Sequence, residues 1–417
     1  MSDADTSPTP TPTVPSHGRA RPRKGLFLTI LVVIFLVTQE TVLRLLFPVP
    51  EVEDFNRVDY SILLKRDGRR PPPLRNASYR FESRPDGFSF VHRLNLYGFR
   101  DDDWSRKSPL GVRRVAFIGD SFTEGAGAPE GSTIVDAFDA AGGNADFESM
   151  NLGIQGTGLR QYLRLMGDAV PLFHPDYVVL ILMANDFGNM ARPDVRLLPA
   201  RPPVRTANSP LRPRLSYLLA NVLRGRSNAR VWHGSPFPFF PAIPDPRNPW
   251  SRPRERHRLE PWVAPELVRE MENGRLNPWL PLGHEEEKYW FSRPSPIGSH
   301  LGLMKDFLQR HNCRLMVVFF PSEGQVSDAY IEYHARYNPP GITSIMAEQF
   351  QQPARDTAVA CRALDLPFLD LTPVLRSWEA AGRRCYWSYD NHPRPETYVE
   401  VGKLVHRHFR QAFLTVR

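Results

Sequence analysis

The chain has 417 residues, 53 Lys and Arg against 45 Asp and Glu, and a formal charge of +8. That length holds one large or two ordinary domains, with ample apolar material for a core. The basic excess gathers near the N-terminus and in a Pro/Arg-rich middle, without the Lys/Arg–aromatic stripe a nucleic-acid groove needs. The three cysteines, Cys313, Cys361 and Cys385, lack paired metal spacing, which argues against a zinc site or a disulfide scaffold and leaves one disulfide open.

Residues 1–24 begin as a Ser/Thr/Pro tract that cannot bury enough surface to fold, followed by the basic run RARPRK, and are expected to be a disordered cytoplasmic tail. Residues 25–47 follow as GLFLTILVVIFLVTQETVLRLLF, long enough for a tilted transmembrane helix. Within it Glu40 and Arg44 stand four apart and face each other on a helix. Basic residues ahead of the span predict a cytoplasmic N-terminus, with everything after Phe47 on the periplasmic or extracellular side of the inner membrane. A cleaved signal peptide is the rival reading, but Gln39, Glu40 and Thr41 offer no small-x-small cleavage site.

Residues 48–108 read as a loop-rich connector with short strands at SYRFESR and GFSFVHR, closed by NLYGFRDDDW. A rhythm then begins that defines a domain over 109–417. RRVAFIGD is an apolar run ending in turn residues, as a parallel strand buried on both faces looks. A helix is expected near 134–141, a second strand in DFESMN, an amphipathic helix in LRQYLRLMGDAVPLF and a third strand in DYVVLILMAND. The rhythm breaks over 192–296, read as an insertion with helical islands near 215–224 and 265–272. A lid over the strand ends and a packing elaboration remain equal alternatives for it. CRLMVVFFP is a fourth strand and LPFLDL a fifth, after a helix near 350–363, and a last helix covers about 396–413. Alternation of this kind predicts a doubly wound α/β fold with a mostly parallel sheet flanked by helices in three layers.

Ligands of such sheets bind outside the carboxyl ends of the strands. Four polar groups converge there: Gly119-Asp120-Ser121, NLGIQGTG (151–158), Ala184-Asn185-Asp186, and SYDNHPRPE with Asp390 and His392. A serine hydroxyl needs a base to take its proton, imidazole is the usual one near neutral pH, and a carboxylate fixes its tautomer. Backbone N–H groups at Ser121 and at a glycine of the second turn, with the Asn185 amide, are candidate donors to a developing oxyanion.

The chain resembles the SGNH (GDSL-type) hydrolase family, in a membrane-anchored bacterial form. IGDSFTEG is similar to the first family block, which implies Ser121 as nucleophile, and NLGIQGTG to the second, which implies Gly156 rather than Gly153 as an oxyanion donor. ANDF resembles the third block and implies Asn185 as the remaining donor; DNHPRPE resembles the fifth and implies Asp390 and His392 as the rest of the triad. The family often has two residues between aspartate and histidine. Here there is only Asn391, the spacing of related polysaccharide O-acetylation proteins, and PRPET replaces the usual Asn and Gly after the histidine.

Blander readings compete with each of these. Ser121 alone reads as a helix N-cap, Asn185 as a strand-end cap, Asp186 as a loop support and His392 as a structural histidine. The run His284 to Glu287 reads as a solvated charge cluster, and GAGAPEG follows neither a dinucleotide nor a Walker pattern. The expectation is a serine esterase acting through Ser121, His392 and Asp390 on an O-acyl ester, O-acetyl foremost, of a cell-envelope carbohydrate or lipid, with no cofactor and no metal. The alternatives are an O-acetyltransferase for an extracytoplasmic polysaccharide and a non-catalytic assembly or glycan-binding protein.

Overall fold

A computed structural model describes residues 23–61, 75–83, 86–142, 147–187, 212–223, 242–246, 248–276, 278–279, 281, 295–330, 351–388 and 390–414. The Ser/Thr/Pro tract, much of the insertion and the run from His284 to Glu287 lie outside them.

Seven strands are described: β1 (Ser78–Ser83), β2 (Phe88–Arg93), β3 (Arg113–Ile118), β4 (Phe147–Asn151), β5 (Tyr177–Met183), β6 (Arg314–Phe320) and β7 (Phe368–Asp370). The last five form one sheet in the order β4-β3-β5-β6-β7, with every pair parallel. All seven residues of β5 are buried, which is why the sequence shows an apolar run there without polar alternation. β1 and β2 pair antiparallel in a separate hairpin.

Helices cover both faces of the sheet. Ala116, Ile118, Leu180 and Val317 point into one core with the Leu159–Phe173, Ile297–Arg310 and Gln352–Ala363 helices. Val115, Phe117, Val179 and Val318 point into the other, against Ile134–Gly142, Thr372–Ala380 and Pro395–Phe413. Successive strand residues alternate between the two cores because side chains alternate across a pleated sheet. The result is the doubly wound, three-layer α/β fold.

Residues from the connector belong to the first of these cores. Val52, Phe55, Tyr60, Tyr97, Phe99 and Trp104 join it, and the Phe55 ring meets Phe173 at 5.2 Å. Within the insertion, Trp250, Leu259, Leu267 and Met271 form a small core of their own. The three cysteines are free and buried, and burial pushes the Cys361 and Cys385 thiols up to about 12.

The N-terminal helix, Arg23–Leu46, has a mean hydropathy of 2.3 over its most apolar part and buries none of that part against the protein. At 1.5 Å per residue it is ~36 Å long, enough to cross a bilayer core. A signal sequence satisfies the same criteria. Its end is tied to the insertion: Arg44 pairs with Glu40 at 2.6 Å and donates to the Arg212 carbonyl at 3.2 Å, while the Glu40 carboxylate accepts from the Arg214 N–H at 2.7 Å.

Candidate active site

β3 runs out at Ile118, and Gly119 lets the chain turn where no side chain fits: a Cβ there would stand 2.9 Å from the Ile181 carbonyl oxygen of β5. Asp120 caps the helical turn Ser121–Glu124, its carboxylate accepting from the Phe122 N–H at 2.9 Å. Ser121 thus occupies the first position of a helical turn, at the carboxyl end of a central strand, and is largely buried. Gly125 closes the turn with φ of +85°, and Arg100 covers its exposed carbonyls, donating to Gly125 at 2.5 Å and Ala128 at 2.8 Å.

The second turn lies directly against the first. The Ile154 N–H donates to the Gly119 carbonyl at 3.1 Å, and a Cβ on Gly153 would collide with the Thr123 and Glu124 backbone. Gly153 is therefore the glycine of close approach, whereas Gly156 is exposed and carries φ of +67°. Asn185 follows β5 in the turn Ala184–Phe187, and its side-chain amide donates to Asp120 Oδ2 at 3.1 Å. Asp120 thus fixes Asn185 with one carboxylate oxygen and caps the Ser121 turn with the other. Asp186 turns away from the rim: it accepts from the Met183 N–H at 2.8 Å and from the Tyr162 hydroxyl at 2.7 Å. Burial, then the nearby Asp120 charge, holds its carboxyl well above the usual range.

Asp390 and His392 lie in the loop before the Pro395–Phe413 helix, closed by the bridge between Tyr386 and Pro393. Asp390 Oδ1 bonds His392 Nδ1 in a short contact and also accepts the His392 backbone N–H at 3.2 Å. Burial lowers the affinity of the imidazole for its proton. The adjoining Asp390, with Asp120 and Glu323 further off, outweighs burial and holds it above its ordinary value. The ring meets that of Phe122, the residue after Ser121, at 5.5 Å, and a Cβ on Gly127 would stand 3.2 Å from His392 Cβ. These contacts bring the Asp390–His392 pair against the Ser121 turn; among the described residues the Ser121 hydroxyl makes no hydrogen bond to the imidazole.

A buried polar cluster beneath the first turn was not among the expected site residues. Glu124, three residues past Ser121, faces Arg57 at 2.5 Å and accepts the Tyr79 hydroxyl in a short contact. The Gln155 N–H donates to the same carboxylate at 3.1 Å, and the Gln155 amide donates to the Tyr79 oxygen at 2.6 Å. His92 Nδ1 lies 2.8 Å from that oxygen. Burial opposes the Glu124 charge, but Arg57 and His92 more than offset it and hold the carboxyl well below its usual range. No group of His, Cys, Asp and Glu fit for a metal occurs among the described residues.

Over residues 117–271 the chain matches the model of the GDSL-like Lipase/Acylhydrolase family. That stretch, which begins on β3 and runs past β5 into the insertion, is thus similar to GDSL-like lipases and acylhydrolases. Its fold is similar to those of a lipase/acylhydrolase from Enterococcus faecalis, at 11% identity over 72% of this chain and 96% of that one with a TM-score of 0.35. A lipolytic protein of the G-D-S-L family from Veillonella parvula superposes at 12% identity over 73% and 100%, with a TM-score of 0.35. The acetyl xylan esterase AlAXEase does so at 11% identity over 72% and 100%, with a TM-score of 0.32. No curated protein matches the sequence.

Proposed function

We infer that the protein is a serine esterase in which Ser121 attacks an ester carbonyl, His392 takes the hydroxyl proton and Asp390 holds the imidazole. The observation that carries this reading is the Asp390–His392 contact at the edge of the turn that presents Ser121. Attack makes the bond from Ser121 Oγ to the carbonyl carbon and passes the proton to His392 Nε2. Collapse of the tetrahedral intermediate expels the alcohol, which takes that proton from the imidazolium. Water, deprotonated by His392, then releases the acid and regenerates Ser121.

The oxyanion is met by the backbone N–H groups of Ser121 and Gly156 and by the Asn185 amide. That amide has two hydrogens, and one of them goes to Asp120. Such fixed donors contribute about 3 kcal/mol each to the transition state. Neither a cofactor nor a metal enters the scheme.

The apolar helix Arg23–Leu46 is read as an uncleaved anchor that leaves the N-terminus in the cytoplasm and the hydrolase domain outside the inner membrane. In that compartment the substrates are O-acyl, foremost O-acetyl, esters of envelope carbohydrates or lipids. If a glycan hydroxyl replaces water in the second step, the same residues perform O-acyl transfer. The test is labelling by a fluorophosphonate probe in full-length wild type and Ser121→Ala. Labelling lost only in the variant supports the reading, and an unlabelled wild type leaves a non-catalytic role. Acetate release against transfer to an added glycan separates the two reactions.

A further inference from the structure

The hairpin of β1 and β2, upstream of the family match, touches both halves of the candidate site. Its turn contains Asp86 and Gly87, the latter with φ of +74°, as a tight strand connection requires. A turn aspartate ordinarily serves its own backbone. This one reaches across the chain: Asp86 Oδ1 accepts the Ser388 N–H at 2.7 Å and Asp86 Oδ2 accepts the Asp390 N–H at 2.8 Å. Ser83 Oγ donates to the same carboxylate at 3.1 Å from within the hairpin.

The hairpin stems continue the contact. Phe81 and the His392 ring meet in a T-shaped contact at 5.4 Å and 88°, and Phe88 meets Trp387 at 4.7 Å. Trp387 donates its indole N–H to the Gly127 carbonyl at 2.9 Å, just past the Ser121 turn. Further along the same strands, Tyr79 and His92 reach Glu124 beneath that turn.

The geometry points to Asp86 as the positioning residue of the Asp390–His392 pair. The described residues between Trp387 and His392 belong to no strand or helix, and the Trp387 N–H closes on the His392 carbonyl at 3.0 Å. Asp86 fixes the N–H groups of Ser388 and Asp390, and with them the direction in which the Asp390 side chain leaves the backbone. Misdirecting that carboxylate frees the imidazole to rotate away from Ser121. The inference rests on the esterase reading of Ser121, His392 and Asp390.

The experiment compares full-length wild type with Asp86→Ala and Asp86→Asn, using p-nitrophenyl acetate turnover and the NMR titration of His392, assigned with His392→Gln. The charged groups facing that imidazole are Asp390, Asp120 and Glu323, and all three stay in place. Asp86→Ala is expected to lower kcat at least tenfold with KM within twofold, and to move the His392 midpoint down toward its ordinary value. Asp86→Asn keeps a carbonyl acceptor and recovers part of both; it decides the matter if the alanine variant does not fold. Unchanged kcat and an unchanged His392 midpoint in a folded variant would overturn the assignment. A wild type without turnover whose His392 midpoint still moves on Asp86→Ala would sink the esterase reading and leave the positioning role standing.

Discussion

The Arg57 guanidinium lies 2.5 Å from the Glu124 carboxylate, and both side chains are sealed from solvent. Neither is affordable alone, because an unpaired buried charge is far costlier than the pair. Arg57→Met is expected to destabilise the fold by about 3–5 kcal/mol, while Arg57→Met with Glu124→Leu recovers a large part of that loss. Urea unfolding of the four corners of the cycle checks this; additive losses would refute the coupling.

Acid should loosen the same cluster. Burial, with the Arg100 charge, pushes His92 down to about 3, whereas an unfolded histidine titrates near 6.5. Below pH ~6.5 the unfolded chain therefore binds a proton that the folded chain refuses, so stability is full above that pH and declines as pH falls toward 3. The expected slope from this group is about 1.4 kcal/mol per pH unit. Denaturation midpoints measured from pH 7 to 4 should show a shallower decline in His92→Asn.

The kinetics carry a second acid-sensitive signature, from a histidine shifted the other way. In the proposed scheme the base works as neutral imidazole, and Asp390 raises the pH at which His392 gives up its proton. The esterase kcat/KM should climb with pH through a midpoint above about 6.5. Asp390→Asn should bring that midpoint down and cut kcat by about 10⁴. A profile unaffected by the substitution would remove Asp390 from the triad.

Two variants separate the proposed nucleophile, Ser121, from a proposed oxyanion donor, Asn185. Ser121→Ala should remove all fluorophosphonate labelling and lower kcat by about 10⁴ or more. Asn185→Ala should keep the label, leave KM nearly unchanged and lower kcat by about 10²–10³. A KM effect alone would make Asn185 a substrate-binding residue.

Gly153→Ala tests how tightly the two turns abut. The added methyl would press on the Glu124 backbone, where even Glu124 Cα lies 2.8 Å from the ideal Cβ. Overpacking of this kind costs about 1–3 kcal/mol. Activity should fall with stability here, which thermal unfolding alongside turnover will show.

The strands that carry the site were legible because burial on both faces leaves long apolar runs, as in Val178 to Met183 and Leu315 to Phe320. Their abrupt polar ends marked where Ser121 and Asn185 stand. The Ile297–Arg310 helix went unread although its apolar residues recur at 297, 301, 304 and 308, because it follows directly on the Pro-rich break. The cluster around Glu124 left no trace. Arg57 stands 67 residues from Glu124, and Asp86 stands 304 from Asp390, so no local period can relate them. The hairpin residues looked like connector because two short strands pair only with each other; their value lies in side chains that reach other turns.

The apolar helix ends at Leu46, and the chain is back in contact with the folded body by Val49, which packs on Tyr217, and in the main core by Val52. Three extended residues cover only ~10 Å. If the helix is the anchor proposed above, that leaves no leash: the body would ride at a fixed height, unable to search distant polymer. An ester substrate would then have to come to the bilayer surface, and the length of this short neck would set the working distance.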